Sequence, residues 1–374
     1  MNRIYIFTEV YFPEDFRINE VAEYLSDKTE IYVITRVPSY PRGKLRKGFK
    51  NIFQQEDKGK IKIFRYPIWL NYDDKKLHKL LNLFWQPIVL LYYYFRFRPE
   101  RVFIFQTGSL YQYLFLMFKL KRTKILLWSQ DLWPEAGYSI NENLVVFNKL
   151  FRWLTKSILE SSNGLLVQSE AFSEHYYSHY AIQSKVLNNF SPVSLHRGVR
   201  TNKENNLVYA GNIGSAQGLG DLIEMYKRIQ NEIPGFFSSF DIYGDGSLLE
   251  EIKASCESIE DVRFHGRVSR DILDMEVLKA KFVCLRLLDS ALNKTIPSRF
   301  QYFYNMGCQI IYLGSGEVQR ITERTKCGIA INSIDDNSLI QKLINYQAVD
   351  NRLDLYNKQA ILDKLDCELK HALE

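Results

Sequence analysis

Cysteine is sparse and shows no pairing pattern. The five residues, at 256, 284, 308, 327 and 367, are an odd number with no Cys-x-x-Cys spacing, which excludes a disulfide framework and a zinc module and leaves reduced, mostly buried thiols. A clean apolar run is missing too: the longest candidate, Leu77 to Phe97, is broken by Asn82, Gln86 and Pro87 and makes a poor bilayer-spanning helix. Neither charge dominates. Lys plus Arg number 49 against 43 acidic residues, a net +6 over 374 residues, so nucleic acid is not an expected partner. The first strand, Ile4 to Phe7, has no basic lead or cleavage site before it, and the chain is expected to stay in the cytoplasm. It is followed by Thr8-Glu9-Val10 and not by the glycine fingerprint of a nicotinamide dehydrogenase.

Aromatic side chains are plentiful, 24 Tyr and 24 Phe, enough to fill cores and still mark a lipid or partner surface. Between Arg36 and Arg65 lie Arg42, Lys44, Arg46, Lys47, Lys50, Lys58, Lys60 and Lys62 against only Glu56 and Asp57, which reads as one basic loop region. The aromatic, amphipathic stretch Leu77 to Phe97 follows it. A basic loop beside such a segment suits an anionic membrane surface; a domain helix with one face in the core has the same pattern.

Apolar strands alternate with helical stretches in both halves of the chain. The first half runs through Ile4–Phe7, Ile31–Thr35, Ile61–Tyr66, Arg101–Gln106, Ile125–Ser129 and Leu165–Gln168; the second runs from Leu207–Ala210 to Gly328–Ile331. Such alternation predicts an α/β fold of two doubly wound, Rossmann-like domains with parallel sheets. The expected boundaries are residues 1–190 for the first domain, a polar linker over 191–206, the second domain over 207–345, and a C-terminal helical stretch over 346–374.

The most telling segment is Leu207 to Glu224, where an apolar strand passes through glycines 211, 214, 218 and 220 into an amphipathic helix. Glycines let a backbone approach an anion closely, and the free N–H groups of a helix start bind it. A second block, Thr295-Ile-Pro-Ser-Arg-Phe-Gln-Tyr-Phe-Tyr-Asn-Met-Gly307, leads into the strand Gln309–Leu313 and the turn Gly314-Ser-Gly-Glu317. Its Arg299 stands at a helix start, an unfavourable place for a cation without an anionic partner.

Further blocks are Tyr11-Phe-Pro13, Pro38 to Lys44, Gln130-Asp-Leu-Trp-Pro-Glu135, Gly244-Asp-Gly246 and Phe264-His-Gly-Arg267. Together and in this order, over nearly the whole chain, they resemble the family 4 retaining glycosyltransferases of bacterial polysaccharide synthesis. The resemblance implies the GT-B architecture, two Rossmann-like domains facing across a cleft, with the C-terminal helix crossing back onto the first domain. It implies a metal-independent hexosyltransferase that moves a hexose or amino-hexose from a UDP-type nucleotide-sugar to a lipid-linked glycan during capsule or O-antigen (lipopolysaccharide) assembly. The enzyme is expected at the inner leaflet as a peripheral membrane protein. The nucleotide-sugar is a substrate, so no cofactor is expected, and the site loops hold no Asp-x-Asp and no Ser-His-Asp order.

On this resemblance Arg299 and Asp131 carry the reaction, Arg299 by meeting the phosphates and Asp131 by orienting a sugar hydroxyl; an Asp-Leu-Trp-Pro turn is also an ordinary helix cap. Gly211, Asn212, Gly214, Gln217, Arg267 and Ser298 belong to the donor side. Two departures stand out. The family's glutamate pair, eight positions apart, falls on Lys294 and Tyr302, so neither carboxylate is present. Gln301 or Glu317 then supplies acceptors, or activity is lost; Glu317 is equally suited to stabilising its own helix start. Glu9, Arg17, Asn19 and Trp133 line the expected acceptor side. The competing readings are a non-catalytic relative acting as a binding or scaffold protein, and a sugar-nucleotide epimerase, for which no paired acid–base carboxylates can be assembled.

Overall fold

The computed structural model describes residues 3–40, 43–72, 74–140, 142–195, 204–214, 217–288, 292–349 and 351–373. Pro41 and Arg42 of the basic region, residues 196–203 of the expected linker, and Ser215 and Ala216 of the glycine turn fall outside them. The chain divides into two compact units, one of residues 1–188 with 359–374 and one of residues 189–358.

The first unit runs β1 (Arg3–Thr8), α1 (Arg17–Ser26), β2 (Glu30–Arg36), β3 (Gln54–Lys58), β4 (Ile61–Tyr66), α2 (Lys76–Phe97), β5 (Arg101–Gln106), a 3-10 segment (Leu110–Phe118), β6 (Lys124–Ser129), α3 (Glu135–Ile140), α4 (Asn148–Glu160), β7 (Gly164–Val167), α5 (Glu170–Tyr180) and β8 (Lys185–Val186). The sheet order is β3-β4-β2-β1-β5-β6-β7-β8, and all pairs are parallel but β3 with β4. Strands such as Ile4–Phe7 and Ile125–Ser129 read as unbroken apolar runs because both faces are covered. In α1 the buried residues Ile18, Val21, Ala22 and Leu25 follow helical spacing, so one stripe meets the sheet.

The second unit contains β9 (Glu204–Asn212), α6 (Leu219–Glu232), β10 (Ser239–Asp245), α7 (Leu249–Ser255), β11 (Val262–Gly266), α8 (Arg270–Lys279), β12 (Ala280–Arg286), α9 (Ser298–Asn305), β13 (Ile310–Leu313), α10 (Glu317–Thr325), β14 (Gly328–Ile331) and α11 (Ser338–Ile344). Its sheet is fully parallel in the order β11-β10-β9-β12-β13-β14. In both sheets the chain winds outward from its first strand in one direction and then in the other. The reversal falls between β1 and β5 in the first sheet and between β9 and β12 in the second. Crevices at the carboxyl ends of such strand pairs are where open parallel sheets bind ligands.

Several expectations need correction. The stretch from Arg36 to Arg65 is not one solvated basic loop. Arg36 is a buried residue of β2 paired with Glu9 at 2.5 Å, and Arg65 has no exposed surface and pairs with Glu56 at 2.6 Å. Between them β3 and β4 form a hairpin that the sequence did not reveal, since Gln54-Gln-Glu-Asp-Lys58 is an edge strand whose charges keep that edge soluble. The crossover between β5 and β6 is not an α-helix but a 3-10 segment, Leu110–Phe118, with a kink at Tyr113. The expected helical stretch over 346–374 is not continuously helical: residues 346–349 and 351–357 carry no helix, and Arg352 and Tyr356 are buried in the second unit beside Tyr304. Helix α12 (Lys358–Leu373) packs on the first unit, where Asp363 accepts from Tyr24 at 2.5 Å and Asp366 and Glu368 pair with Lys28 and Lys185 at 2.8 and 2.7 Å.

Candidate functional site

The glycine turn of the second unit begins at the end of β9, the strand at the sheet reversal. Gly211 has φ 149°, and a Cβ built on it meets Nη1 of Arg299 at 2.3 Å, its Cδ at 2.6 Å and its Cζ at 2.7 Å. The missing side chain is therefore the space in which Arg299 lies. From the first turn of α9 this arginine reaches back over the strand end, donates from Nη1 to the Ala210 carbonyl at 3.2 Å, and sets its guanidinium 5.2 Å from the Tyr209 ring centroid. Sequence spacing had joined the glycine turn and Arg299 only by resemblance; the tertiary structure puts them in contact. The arginine is half-buried, so donors remain for an anion.

Not every glycine here serves a ligand. A Cβ on Gly244 meets the Gly211 carbonyl oxygen at 1.8 Å, and one on Gly246 meets that of Ile213 at 2.1 Å. Those two glycines let the backbones of the β9 and β10 ends close on each other. Asn212 and Gln217 lean over Gly214, the Asn212 amide donating to Gln217 Oε1 at 3.2 Å. The Asn212 amide is thus a side-chain donor at this turn.

The other residues expected on the donor side lie in α9, at the start of α10, after β11 and in the 3-10 turn after β12. Ser298 is exposed at the first position of α9. Arg267 forms an exposed ion pair with Asp245 at 3.4 Å. Lys294 sits in the 3-10 turn Leu292–Lys294, which Asn293 ties to the hydroxyl of Ser315 at 3.1 Å. Gln301 is 1% exposed and Glu317 5%; helix packing turns Gln301 inward, and Glu317 is enclosed at the start of α10, 3.8 Å from Arg320. Tyr302 donates to Asp274 of α8 at 2.5 Å, and the Arg270 guanidinium lies 4.1 Å over its ring. Burial and that hydrogen bond push the Tyr302 hydroxyl up, so it stays a donor. Tyr302 thus brings a carboxylate and a guanidinium to its surroundings from a neighbouring helix.

Sequence reasoning missed Arg286. The last residue of β12, it stands at the same sheet reversal as Gly211, pairs with Asp221 of α6 at 2.7 Å and lies against Gly218. A charged residue closing the apolar run Phe282 to Leu285 was the available signal.

In the first unit a cavity of about 720 Å³ opens at the carboxyl ends of β1, β2 and β5, again at the reversal point. Glu9, Arg36, Gly108 and Trp133 line it, with Lys76 and Lys79 of α2. A Cβ on Gly108, where φ is 90°, meets Glu9 Oε2 at 2.0 Å, so the glycine leaves room for that carboxylate. Asp131 is not among the lining residues. Its Oδ2 accepts from the Gly108 backbone N–H at 3.0 Å and fastens the turn that Glu9 crosses. Burial raises the Glu9 carboxyl above its usual range, Arg36 opposes the rise and Asp131 adds to it; burial raises Asp131 as well, against the Gly108 hydrogen bond. Trp133 follows on a cis Trp133–Pro134 peptide and meets Tyr111 edge-on at 5.5 Å. Asn19 lies elsewhere: it accepts from Phe12 N–H at 2.9 Å and donates to the Glu14 carbonyl at 2.7 Å, bracing the loop after β1. Arg17 begins α1 and is also not a lining residue; burial lowers its pKa, with Glu20 opposing.

No family model matches the sequence, and no curated protein does. Solved structures do. The apo form of a lipopolysaccharide outer core galactosyltransferase, WaaB, aligns over 99% of this chain and 99% of its own, with a TM-score of 0.68 at 14% identity. An alpha,alpha-trehalose-phosphate synthase (UDP-forming) from Burkholderia xenovorans, in complex with glucose-6-phosphate, aligns over 99% and 100% with a TM-score of 0.68 at 9% identity. The chain has the GT-B fold. A third GT-B structure, trehalose-6-phosphate from E. coli bound with UDP-2-fluoro glucose, covers 100% of this chain and 97% of its own at a TM-score of 0.63 and 9% identity.

Around the cavity mouth the GT-B first unit exposes much apolar surface. Helix α2 turns Val89, Leu90, Tyr93 and Tyr94 inward and leaves Leu77, Leu80, Leu83, Phe84 and Ile88 exposed. The polar residues that argued against a spanning helix are on the buried face: Asn82 exchanges hydrogen bonds with the Trp69 backbone at 2.9 and 2.8 Å. Val145, Val146, Phe147, Leu150 and Trp153, ahead of and within α4, add a second exposed set. Among the described residues no helix is long and apolar enough to cross a membrane, and no group of three or more His, Cys, Asp or Glu side chains could hold a metal ion.

Proposed function

We propose that this chain is a retaining glycosyltransferase of the family 4 type, moving a hexose or amino-hexose from a UDP-linked donor to a lipid-linked oligosaccharide in capsule or O-antigen assembly. The observation that carries the reading is Arg299 lying in the space that Gly211 leaves empty at the β9–β12 reversal. As the sugar bond breaks, negative charge grows on the diphosphate, and a guanidinium with backbone donors already in place stabilises it without reorganisation. The acceptor belongs to the first unit's cavity, where Glu9 receives a hydrogen bond from the attacking hydroxyl and Asp131 acts through the Gly108 turn. Attack on the face that the diphosphate leaves lets the departing phosphate take the proton, with no protein nucleophile and no metal. The exposed apolar residues of α2 and α4, beside Lys76 and Lys79, support contact with an anionic bilayer carrying the acceptor.

The test is calorimetric titration of the purified chain with UDP and UDP-hexoses, followed by donor turnover with and without EDTA. Saturable UDP binding that Arg299→Ala weakens is the expected result. Absence of binding by any nucleoside diphosphate overturns the reading, and loss of turnover in EDTA overturns its metal-free form. One observation favours a second reading, a relative that binds donor but has lost turnover: Tyr302 and Lys294 stand where the family's carboxylates are, and Tyr302 is engaged with Asp274. Binding without transfer or hydrolysis is its signature.

A further inference from the structure

We propose that Arg286 is a second cation of the donor site, gripping the diphosphate together with Arg299; this rests on the donor reading above and specifies how its charge is met. The glycine turn supplies no basic side chain, since Asn212 and Gln217 occupy it. One guanidinium and a helix start are thin provision for a diphosphate. The β12 strand makes good the deficit from the other side of the reversal.

Three features point this way. Arg286 ends β12, the strand paired with β9, and Arg299 lies over the end of β9 itself, so both arginines stand at the same sheet reversal. Its Cδ and Nε lie 2.7 and 3.0 Å from where a Cβ on Gly218 would stand, and Gly218, with φ 53°, is the N-cap of α6 and makes no side-chain cap. The arginine thus lies against the start of α6, where Asp221 of the first turn is its present counter-ion and where helix geometry also favours a bound anion. Finally, its Nε is buried and has no acceptor among the described residues, while Nη2 is held by Asp221 at 2.7 Å. Asp221 is more than a third exposed and can return to water. A phosphate then takes its place, satisfying Nε and Nη2 in parallel, the two-pronged geometry for which arginine is suited and lysine is not.

The alternative is a plain structural ion pair that neutralises Asp221. The two differ in sign for the partner substitution. Kd for UDP is measured by titration calorimetry on the full chain and on Arg286→Gln, Arg286→Lys and Asp221→Asn, with thermal unfolding of each ligand-free protein as the control for folding. If Arg286 grips phosphate, Arg286→Gln weakens UDP about 10- to 100-fold, the scale of one charge-assisted hydrogen-bond pair. Arg286→Lys recovers only part of this, and Asp221→Asn binds UDP as tightly as the wild type or more so, because the competitor is gone. If the pair is only structural, Arg286→Gln and Asp221→Asn lower the melting temperature alike and leave Kd unchanged, or weaken it alike; either result overturns the inference while the donor reading stands. A wild-type chain that binds no nucleoside diphosphate removes both. Should Arg286→Gln not fold, the opposed signs of Arg286→Lys and Asp221→Asn still decide.

Discussion

Gly211→Ala perturbs the proposed donor site without replacing any ionisable residue. The new methyl carbon falls 2.3 to 2.7 Å from three atoms of Arg299, far inside the contact distance of about 3.5 Å. Either the guanidinium leaves or the strand end shifts. The backbone at φ 149° adds strain of about 1–3 kcal/mol for a residue with a side chain, which for a unit of this size lowers the melting temperature by roughly 4–8 °C at the middle of that range. Displacing Arg299 forfeits the proposed bond to phosphate, about 1.5–3 kcal/mol or roughly 10- to 150-fold in UDP affinity. The decisive assay is a double-mutant cycle in UDP binding with Gly211→Ala, Arg299→Ala and both. If the glycine acts by making room for the arginine, the single variants weaken binding to a similar degree and the double is no worse than Arg299→Ala alone. Additive losses refute the mechanism, because they mean that Gly211 contacts the ligand independently, and an Arg299→Ala protein with wild-type affinity refutes the site.

Asp131→Asn keeps an acceptor for the Gly108 N–H and removes the charge that raises Glu9. A carboxyl with an elevated folded-state pKa binds its proton more tightly folded than unfolded, so its contribution falls as pH rises through that window; the variant is expected to melt higher than the wild type at neutral pH and to lose that advantage near pH 4, as thermal unfolding against pH shows. The opposite sign holds for Asp241 in the second unit. Burial works against its ionised form, but hydrogen bonds from His265, Ser239 and Asn206 outweigh burial and hold its pKa below the usual value. Its stabilisation is present at neutral pH and is lost on acidification through the depressed pKa, and Asp241→Asn should flatten that part of the unfolding profile. Leu80→Asp with Val146→Asp, at positions 50% and 84% exposed, should leave melting unchanged and reduce cosedimentation with phosphatidylglycerol vesicles about tenfold, since it replaces apolar contact and repels the anionic surface; undiminished cosedimentation counts against the membrane face.

The alternation of apolar runs with helical stretches was enough to read two parallel-sheet α/β units, because buried parallel strands need unbroken apolar sequence and each crossover needs a helix. Gly211 and Arg299 were both visible as chemistry. That one exists to accommodate the other was decided by the strand order, which sets residues 88 positions apart in contact at a sheet reversal. The same holds for Arg286 and for Glu9, whose neighbours Gly218, Asp221, Gly108 and Arg36 come from other strands, helices and turns. Local pattern determines which elements form. Which polar side chain is buried and which faces solvent depends on what packs over it, as the enclosed Gln301 and the hidden charges of Arg36 and Arg65 demonstrate, and that is information only the assembled sheet contains.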